Sequence, residues 1–281
     1  MTWRRQLVFS TLKKFTGFQR ILNRLLSVRR QLDWQIHQAR QTHEQLTDFF
    51  ELLRPVSLDR NDLARFGSVS DGGYIIYSKT LKDLHVISLG VGDNVSFDFE
   101  VAKFAKSITL YDHTVQRLPL EIPNSIFFQK KVVAKVIDKT HEVRLKELLE
   151  AYTHEDKVLL KMDIEGHEWE ILESLDWEEY PQVTQMVIEF HGILHKAKNF
   201  EASGMLTLLK QLRKHFEVIN FHPNNYGDFE VFINVPIPDV FEVTLIRSNE
   251  INFIPITSKV ENLNSPNNPI SPDIYFPFNV V

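Results

Sequence analysis

The stretch His85-Val86-Ile87-Ser88-Leu89 runs directly into Gly90-Val91-Gly92, and this junction decides the fold. A short apolar run that ends at glycine predicts a buried strand followed by a tight turn. The pattern over Ser96–Phe104 predicts a helix immediately after that turn. Glycine at a strand-to-helix turn lets the backbone approach a ligand closely, and the helix N-terminus favours polar ligand groups. The sequence therefore predicts a ligand site at the end of this strand.

Outward from this junction, predicted strands and helices alternate along the chain. Further strands are predicted over 108–112, 126–133, 158–163, 185–191, 217–222 and 241–247. Further helices are predicted over 144–152, 168–175 and 202–215. Alternation of this kind is typical of a mostly parallel sheet covered by helices on both faces. The carboxyl ends of its strands meet at one edge, where ligands bind.

The composition excludes several kinds of site. The chain has 281 residues and no cysteine, which excludes disulfides, thiolate catalysis and cysteine-bound zinc. Residues 1–54 carry ten Lys/Arg and four Asp/Glu, whereas the remainder carries 22 Lys/Arg and 33 Asp/Glu. Because nucleic acid binding needs a basic face, the acidic main body argues against a nucleic acid partner.

Residues 1–55 are predicted to form a basic amphipathic helical segment. Apolar residues recur there at three- and four-residue steps, with Arg and Lys between them: Trp3, Leu7, Phe15, Phe18, Leu22, Leu25, Leu32 and Ile36. Three partners fit such a helix: an anionic membrane surface through residues 1–54, its own domain, or a second copy in a homo-oligomer. Since the sequence shows neither a signal peptide nor a spanning segment, we expect a cytoplasmic protein, peripheral to the membrane if the first partner is correct.

Two further segments complete the predicted organisation. The main domain spans residues 56–261, and residues 262–281 form an irregular tail rich in Pro and Asn. Aromatic residues near the end of the tail predict that it docks on the domain.

The predicted ligand is an adenosine cofactor. Asp112 ends the second strand, about twenty residues after Gly90 and Gly92. A carboxylate at this position can accept hydrogen bonds from both hydroxyls of the cofactor's ribose. This pair fits a dinucleotide or S-adenosylmethionine. However, Asp93 follows the glycines where a pyrophosphate site would need a third glycine, and its charge would repel phosphate. A cationic sulfonium suits an acidic loop better, so the pattern favours the methyl donor.

A longer set of motifs resembles the FkbM-type methyltransferases. Lys161-Met162-Asp163-Ile164-Glu165-Gly166-His167-Glu168 resembles their K-x-D-x-E-G-x-E signature. The resemblance also includes these stretches: Asp71-Gly72-Gly73-Tyr74, Phe97-Asp98, Glu189-Phe190-His191, His222-Pro223-Asn224-Asn225-Tyr226 and Val240-Phe241-Glu242-Val243-Thr244. Together these motifs span roughly Gly67 to Pro272.

This resemblance implies a Rossmann-like class I methyltransferase fold. The expected sheet has seven mostly parallel strands in the order 3-2-1-4-5-7-6. The resemblance implies methyl transfer from S-adenosylmethionine, usually to an oxygen of a sugar or natural product. The cofactor-binding residues implied or predicted are these: Gly72, Gly73, Tyr74, Gly90, Gly92, Phe97, Asp112 and Asp163.

Four residues are predicted to act on the methyl acceptor: Asp163, Glu189, His191 and His222, all at the carboxyl ends of predicted strands. Two mechanisms fit them. In one, His191 or His222 is a general base oriented by a carboxylate. In the other, Asp163, Glu189 and His191 hold a divalent cation, Mg²⁺ or Mn²⁺, that activates the acceptor oxygen. The preference of Mg²⁺ for all-oxygen shells favours the metal-free base.

The resulting hypothesis is an O-methyltransferase for a sugar, glycan or other small hydroxylated metabolite. Two alternatives remain open from the sequence. One is a nicotinamide-dependent oxidoreductase, against which the missing third glycine argues. The other is a non-catalytic relative that uses the same fold as an interaction module.

Overall fold

The computed structural model describes residues 3–58, 60–199, 201–232, 235–251, 263–274 and 276, with the backbone alone for residues 3–23, 60, 232 and 235. In chain order the first elements are α1 (Trp3–Leu52), β1 (Leu63–Gly67), β2 (Gly73–Tyr77), β3 (Leu84–Leu89), α2 (Ser96–Ala102), β4 (Ser107–Tyr111), β5 (Ser125–Phe128), β6 (Lys131–Val133), β7 (Glu142–Arg144) and α3 (Leu145–Leu149). They are followed by β8 (Lys157–Met162), α4 (Glu168–Glu173), β9 (Val183–Phe190), α5 (Ile193–Lys198), α6 (Ala202–Leu212), β10 (Phe216–Pro223), β11 (Phe229–Phe232), β12 (Val235–Pro238) and β13 (Phe241–Arg247).

The central sheet has seven strands in the order β10-β13-β9-β8-β3-β4-β5. Counted within this sheet alone, and from its β5 edge, the chain order is 3-2-1-4-5-7-6. Strands β5, β4, β3, β8 and β9 are parallel, whereas β13 runs antiparallel to both β9 and β10. The carboxyl ends of the parallel strands therefore meet at one edge.

Two apolar clusters cover the two faces of this sheet. Successive strand residues point to opposite faces, so Ile87, Leu160 and Ile188 join the cluster under α1 and α3 to α6. Their strand neighbours Val86, Leu159 and Val187 join the cluster under α2 and the β1–β2 hairpin. Because β3, β8 and β9 are buried on both faces, they read in the sequence as continuous apolar runs.

Helix α1 divides into a docked end and an exposed portion. Leu46, Phe49 and Phe50 are at most 3% exposed and lie in the larger core cluster. Leu25, Leu32 and Ile36 are 62%, 51% and 51% exposed. The C-terminal end of α1 is thus part of the domain, and its own domain is one of the three partners that the sequence left open for this helix. The predicted stripe residues from Trp3 to Leu22 lie outside the residues whose side chains are described.

The tail also docks where it is described. Phe276 is 4% exposed and its ring lies 4.7 Å from that of Phe50. Asn267 is fully buried and donates to Glu242. The predicted domain end at residue 261 falls outside the described residues. None of the described helices is long and apolar enough to cross a membrane.

The structure corrects one predicted strand. The single strand expected over 126–133 is two strands, β5 and β6, separated by Gln129 and Lys130. Only β5 belongs to the central sheet, while β6 pairs with β7 in a separate parallel ladder. The predicted helices over 144–152, 168–175 and 202–215 are also shorter, ending at Leu149, Glu173 and Leu212.

Candidate active site

A cavity of about 500 Å³ opens at the carboxyl edge of the sheet. The loops after β3, β4, β5 and β8, the start of β6 and the β1–β2 turn enclose it. Its volume lies within the range of small-molecule and cofactor sites. Of the predicted cofactor residues, all but Gly73 line this cavity: Gly72, Tyr74, Gly90, Gly92, Phe97, Asp112 and Asp163. A Cβ on Gly73 would meet the Ser68 carbonyl oxygen at 1.9 Å, so close backbone packing explains this glycine.

The glycine turn after β3 packs directly against the loop after β8. Gly90 has φ +75°, and a Cβ there would lie 1.5 Å from the Asp163 carbonyl oxygen. Gly92 has φ +53°, but a Cβ there would meet no atom within 4 Å. Gly90 is therefore required by packing between two loops, while Gly92 leaves open space beside the cavity.

Asp112 holds the same turn from the end of β4. Its Oδ2 accepts hydrogen bonds from the backbone N–H groups of Val91 and Gly92, each at 2.8 Å. Its Oδ1 accepts from the N–H and hydroxyl of Thr114, each at 2.6 Å. Burial raises the pKa of Asp112, but the bonds from Gly92, Thr114 and Val91 outweigh that effect and lower it. The carboxylate is thus ionised and well placed at the cavity wall, and its role toward a ribose stays a prediction.

Two buried charges were not singled out from the sequence. Asp98 is 1% exposed, lines the cavity, and has an Oδ1 without a hydrogen-bond partner. Burial raises its pKa, against the opposing charge of Lys161. Lys161 donates to the Gly90 carbonyl at 2.5 Å and lies 3.5 Å from Asp163 Oδ2. The sequence signal was present, since a lysine inside an otherwise apolar strand needs a buried partner.

The hydroxyl of Tyr74 lies between two of the predicted catalytic carboxylates. It is 3.0 Å from Asp163 Oδ2 and 3.1 Å from Glu189 Oε2. Asn224 Nδ2 donates to the other oxygen of Glu189 at 2.6 Å. Burial, followed by the charges of Asp163 and Glu242, raises the pKa of Glu189 to about 8. A phenol has one proton, so a protonated Glu189 donates to Tyr74, and Tyr74 donates to Asp163.

His191 stands among carboxylates at the end of β9. Its Nδ1 lies 3.1 Å from Oε1 of the fully buried Glu168, and its Nε2 lies 3.9 Å from Asp163 Oδ1. Burial lowers the pKa of His191, but the hydrogen bond and charge of Glu168, with the other acids, raise it to about 9. The imidazole is therefore protonated at neutral pH, and in that state it cannot accept a proton.

His222 lies apart from these groups. It is not among the residues that line the cavity, and it is 2% exposed. Its Nε2 lies 3.0 Å from Asp273 Oδ1 in the tail, and its Nδ1 lies 3.7 Å from Glu242 Oε2. Burial opposes protonation, but the hydrogen bond to Asp273 and the nearby Glu242 carboxylate raise the pKa of His222 to about 9. This geometry favours a role in holding the tail over that of a base at the cavity.

The group of residues that could hold a metal ion differs from the predicted group of Asp163, Glu189 and His191. Ligand atoms of Asp163, Glu165 and His191 lie within 4.8 Å of one another. Glu189 is outside this set, because its oxygens face Tyr74 and Asn224. Glu165 replaces it from the loop after β8, with a φ of +58°.

The comparisons with known proteins bear on this site. Residues 76–227 match the family model of the methyltransferase FkbM domain, which is more than half of the chain. The chain belongs to the FkbM methyltransferase family. The matched part of the FkbM domain contains the glycine turn, Asp112, Asp163, Glu189 and Asn224. Helix α1, Gly72 in the β1–β2 turn, Tyr74 in β2 and the tail lie outside it.

Solved structures give only distant likenesses to this FkbM domain. A putative methyltransferase from Streptococcus mutans in complex with SAH is 14% identical, with a TM-score of 0.33 over 59% of this chain and 86% of that one. A dimethyladenosine transferase from Plasmodium falciparum is 13% identical, with a TM-score of 0.36 over 59% and 56%. An rRNA methylase from Streptococcus thermophilus is 17% identical, with a TM-score of 0.34 over 59% and 87%. These likenesses are too distant to carry an argument about the acceptor.

No curated protein sequence matches the chain. Membership of the FkbM family makes the protein an S-adenosylmethionine-dependent methyltransferase, and the acceptor has to be argued from the residues at the cavity.

Proposed function

We propose that the protein transfers a methyl group to a hydroxyl of a sugar or other small hydroxylated metabolite. The observation that carries this proposal is the hydrogen-bonded series Glu189–Tyr74–Asp163 at the wall of the cavity. A hydroxyl is a poor nucleophile until its proton is removed. In this series Asp163 is the carboxyl group that lines the cavity, while Glu189 behind Tyr74 keeps its proton at neutral pH.

The cavity residues fit the methyl donor. Asp98 Oδ1 is a buried oxygen without a partner, which would suit the ammonium group of the donor's amino acid portion. The open space beside Gly92 would let the nucleoside lie close to the protein backbone there. Asp112, which accepts a hydrogen bond from the Gly92 N–H, would lie behind it. When bound, S-adenosylmethionine supplies an electrophilic methyl carbon on a cationic sulfur.

In the proposed reaction, Asp163 accepts the proton of the acceptor hydroxyl. The acceptor oxygen forms a bond to the methyl carbon as the carbon–sulfur bond breaks, which yields a methyl ether and S-adenosylhomocysteine. Tyr74 and Lys161 hold the Asp163 carboxylate in place by contacts of 3.0 and 3.5 Å. The protonated His191 places its Nε2 3.9 Å from the other oxygen of this carboxyl group, Oδ1.

The test is an acceptor screen with an Asp163→Asn variant. Loss of a general base typically lowers turnover by about 10²–10⁴-fold, and we expect a loss of that size with S-adenosylmethionine still bound in calorimetry. Asp176→Asn, at an exposed position, is the matched control. Full activity of Asp163→Asn on the true acceptor would refute the assignment.

A divalent cation held by Asp163, Glu165 and His191 is the second candidate mechanism. In its favour, buried Glu168 would fix the imidazole so that Nε2 faces the cluster, as metal-binding histidines require. Against it, a ligating imidazole has to lose the proton that Glu168 and Asp163 stabilise on His191. Activity that is lost on chelation and restored by Mg²⁺ or Mn²⁺ would establish the cation mechanism and displace the base.

The same calorimetry separates the two other functions that the sequence leaves open. Binding of NADH without the methyl donor would indicate a nicotinamide oxidoreductase. Binding of neither would favour a non-catalytic interaction module, in which the docked helix α1 presents its exposed part to a partner.

We also propose that the exposed part of α1 lies on an anionic membrane surface. Leu25, Val28 and Leu32 form one stripe on the helix and are 62%, 49% and 51% exposed. Residues 1–30 carry eight basic residues and no acid, so self-association through this stripe would bring like charges together. Anionic lipid complements both the stripe and the charge.

Vesicle sedimentation tests this membrane proposal. We expect the protein to bind vesicles of phosphatidylglycerol and phosphatidylcholine, and to bind pure phosphatidylcholine much more weakly. Leu25→Gln/Leu32→Gln should weaken binding, while Leu120→Gln, an exposed leucine of the domain, is the control. Equal sedimentation of all three proteins would refute the membrane surface and favour a second copy.

A further inference from the structure

A second concave surface adjoins the cofactor cavity, and its free charge is positive. It encloses about 560 Å³ beneath the loop between β6 and β7. Lys130 lines both it and the cofactor cavity. The next residue, Lys131, places its Nζ 3.1 Å from His167 Nε2 on the loop that also carries Asp163. The two concave surfaces therefore adjoin at Lys130, with Lys131 on the side of the cofactor cavity.

The acids of this surface are already satisfied. Glu142 accepts hydrogen bonds from the backbone N–H groups of Ile137 and Asp138 at 2.6 and 2.9 Å. Glu147 is paired with Arg144 at 2.7 Å. The lining carries four cations, Lys130, Lys135, Lys139 and Arg144, against these two carboxylates, so its net charge is positive.

The position of these lysines is distinctive because the rest of the domain is acidic. Residues 55–281 carry 33 Asp/Glu against 22 Lys/Arg. Like charges are gathered on a concave surface only at a cost in repulsion, which an anionic ligand would offset. Hydrogen bonds between an ammonium group and a phosphate oxygen are among the strong, charge-assisted ones.

We propose that this surface, called here the Lys130 groove and lined by Lys130, Lys135 and Lys139, binds a phosphate or diphosphate group of the methyl acceptor. The inference rests on the proposed methyltransferase function and adds the acceptor's chemical class, a phosphate-bearing sugar. The phosphate-bearing end lies in the Lys130 groove, and the sugar reaches past Lys131 toward Asp163. A nucleoside-diphosphate sugar and a lipid-diphosphate sugar share this chemistry.

The first experiment measures binding of inorganic pyrophosphate to the full chain at low salt by calorimetry. Lys135→Gln/Lys139→Gln should weaken that binding by about tenfold or more, because each lost ammonium removes a charged contact. Neither lysine lines the cofactor cavity, so affinity for S-adenosylmethionine should not change. Lys82→Gln/Lys214→Gln makes the same charge change at exposed positions elsewhere and should leave pyrophosphate binding intact.

Each outcome of this experiment decides a separate question. Absence of pyrophosphate binding, or equal weakening in both double variants, overturns the Lys130 groove as an anion site even if the methyl donor binds. If pyrophosphate binds but S-adenosylmethionine does not, the proposed methyltransferase function is overturned instead. If pyrophosphate binds, uridine diphosphate and vesicles containing a polyprenyl diphosphate identify the source: tighter binding of the former supports a soluble acceptor, and of the latter a lipid-linked one.

Discussion

Glu189→Gln tests the protonation of the buried carboxyl on which the proposed chemistry depends. The carboxyl is 5% exposed, and its pKa is raised from 4.5 to about 8. Between those values the folded protein holds a proton that the unfolded chain has released. Stability therefore falls as pH rises through this window, since it falls wherever the folded state binds more protons. The full penalty, present above pH 8, is at most about 5 kcal/mol at about 1.4 kcal/mol per unit of pKa.

Glutamine reproduces the hydrogen bonds of the protonated acid. Its oxygen accepts from Asn224, and its amide nitrogen donates to Tyr74, whose hydroxyl still donates to Asp163. We therefore expect Glu189→Gln to exceed the wild-type stability by about 2 kcal/mol at pH 6, because the unfolded wild-type chain has already released its proton above pH 4.5. At pH 9 this difference should rise to roughly 4–5 kcal/mol, because the variant has no proton to lose at this position.

Urea unfolding from pH 6 to pH 9 measures this difference directly, with Glu178→Gln as the exposed control. His191 also loses stabilisation as pH rises toward its pKa of about 9 in the wild type. Because the charge of Glu189 contributes to that pKa, the difference between the two proteins reports on Glu189 together with its effect on His191. Parallel stability curves for Glu189→Gln and the wild type would show that Glu189 is ionised in the native state. In that case Tyr74 would face two carboxylates, and the assignment of Asp163 as the base would lose its basis.

Two further variants probe the cofactor side of the cavity. Asp112→Ala removes the carboxylate that holds the N–H groups of Val91 and Gly92, and should weaken S-adenosylmethionine binding by on the order of 1–3 kcal/mol in calorimetry; unchanged affinity would remove Asp112 from the site. Gly90→Ala places a Cβ 1.5 Å from the Asp163 carbonyl and should lower the thermal midpoint by several degrees more than Gly92→Ala, whose Cβ meets no atom within 4 Å. Equal midpoints for the two variants would contradict the packing argument.

The sheet could be predicted because its signals are local. Apolar runs of five to eight residues that end at glycine or a polar residue mark each parallel strand, whatever it pairs with. The same signal failed over 126–133, because an apolar run does not indicate which sheet it joins. The backbone turns at Gln129 and Lys130 and carries β6 into another ladder. The β11–β12 hairpin was missed because Pro236 and Pro238 depress the strand signal.

The candidate site was predicted less completely, because its contacts join distant parts of the chain. Tyr74 and Glu189 are 115 positions apart, and only the folded structure shows that one hydroxyl serves two carboxyl groups. His191 and His222 look alike in the sequence, each near the end of a strand. The folded structure distinguishes them by position. The ring of His222 is buried against the tail, where it hydrogen-bonds with Asp273, whereas His191 lies near Asp163 at the cavity.

The electrostatics of the two concave surfaces support one account of the reactants. Around the cofactor cavity the charges in excess are carboxylates, including Asp71, Asp98 and Asp163, and such a lining favours a cationic ligand over a dinucleotide phosphate. Beyond Lys130 the sign reverses, and an anionic ligand is favoured. A cationic methyl donor and an anionic acceptor would each be repelled from the other's surface, so the distribution of charge alone would set which reactant occupies which side. Methyl transfer also converts the cationic sulfonium of the donor into a neutral thioether. The acidic cavity would therefore bind the product S-adenosylhomocysteine less tightly than S-adenosylmethionine.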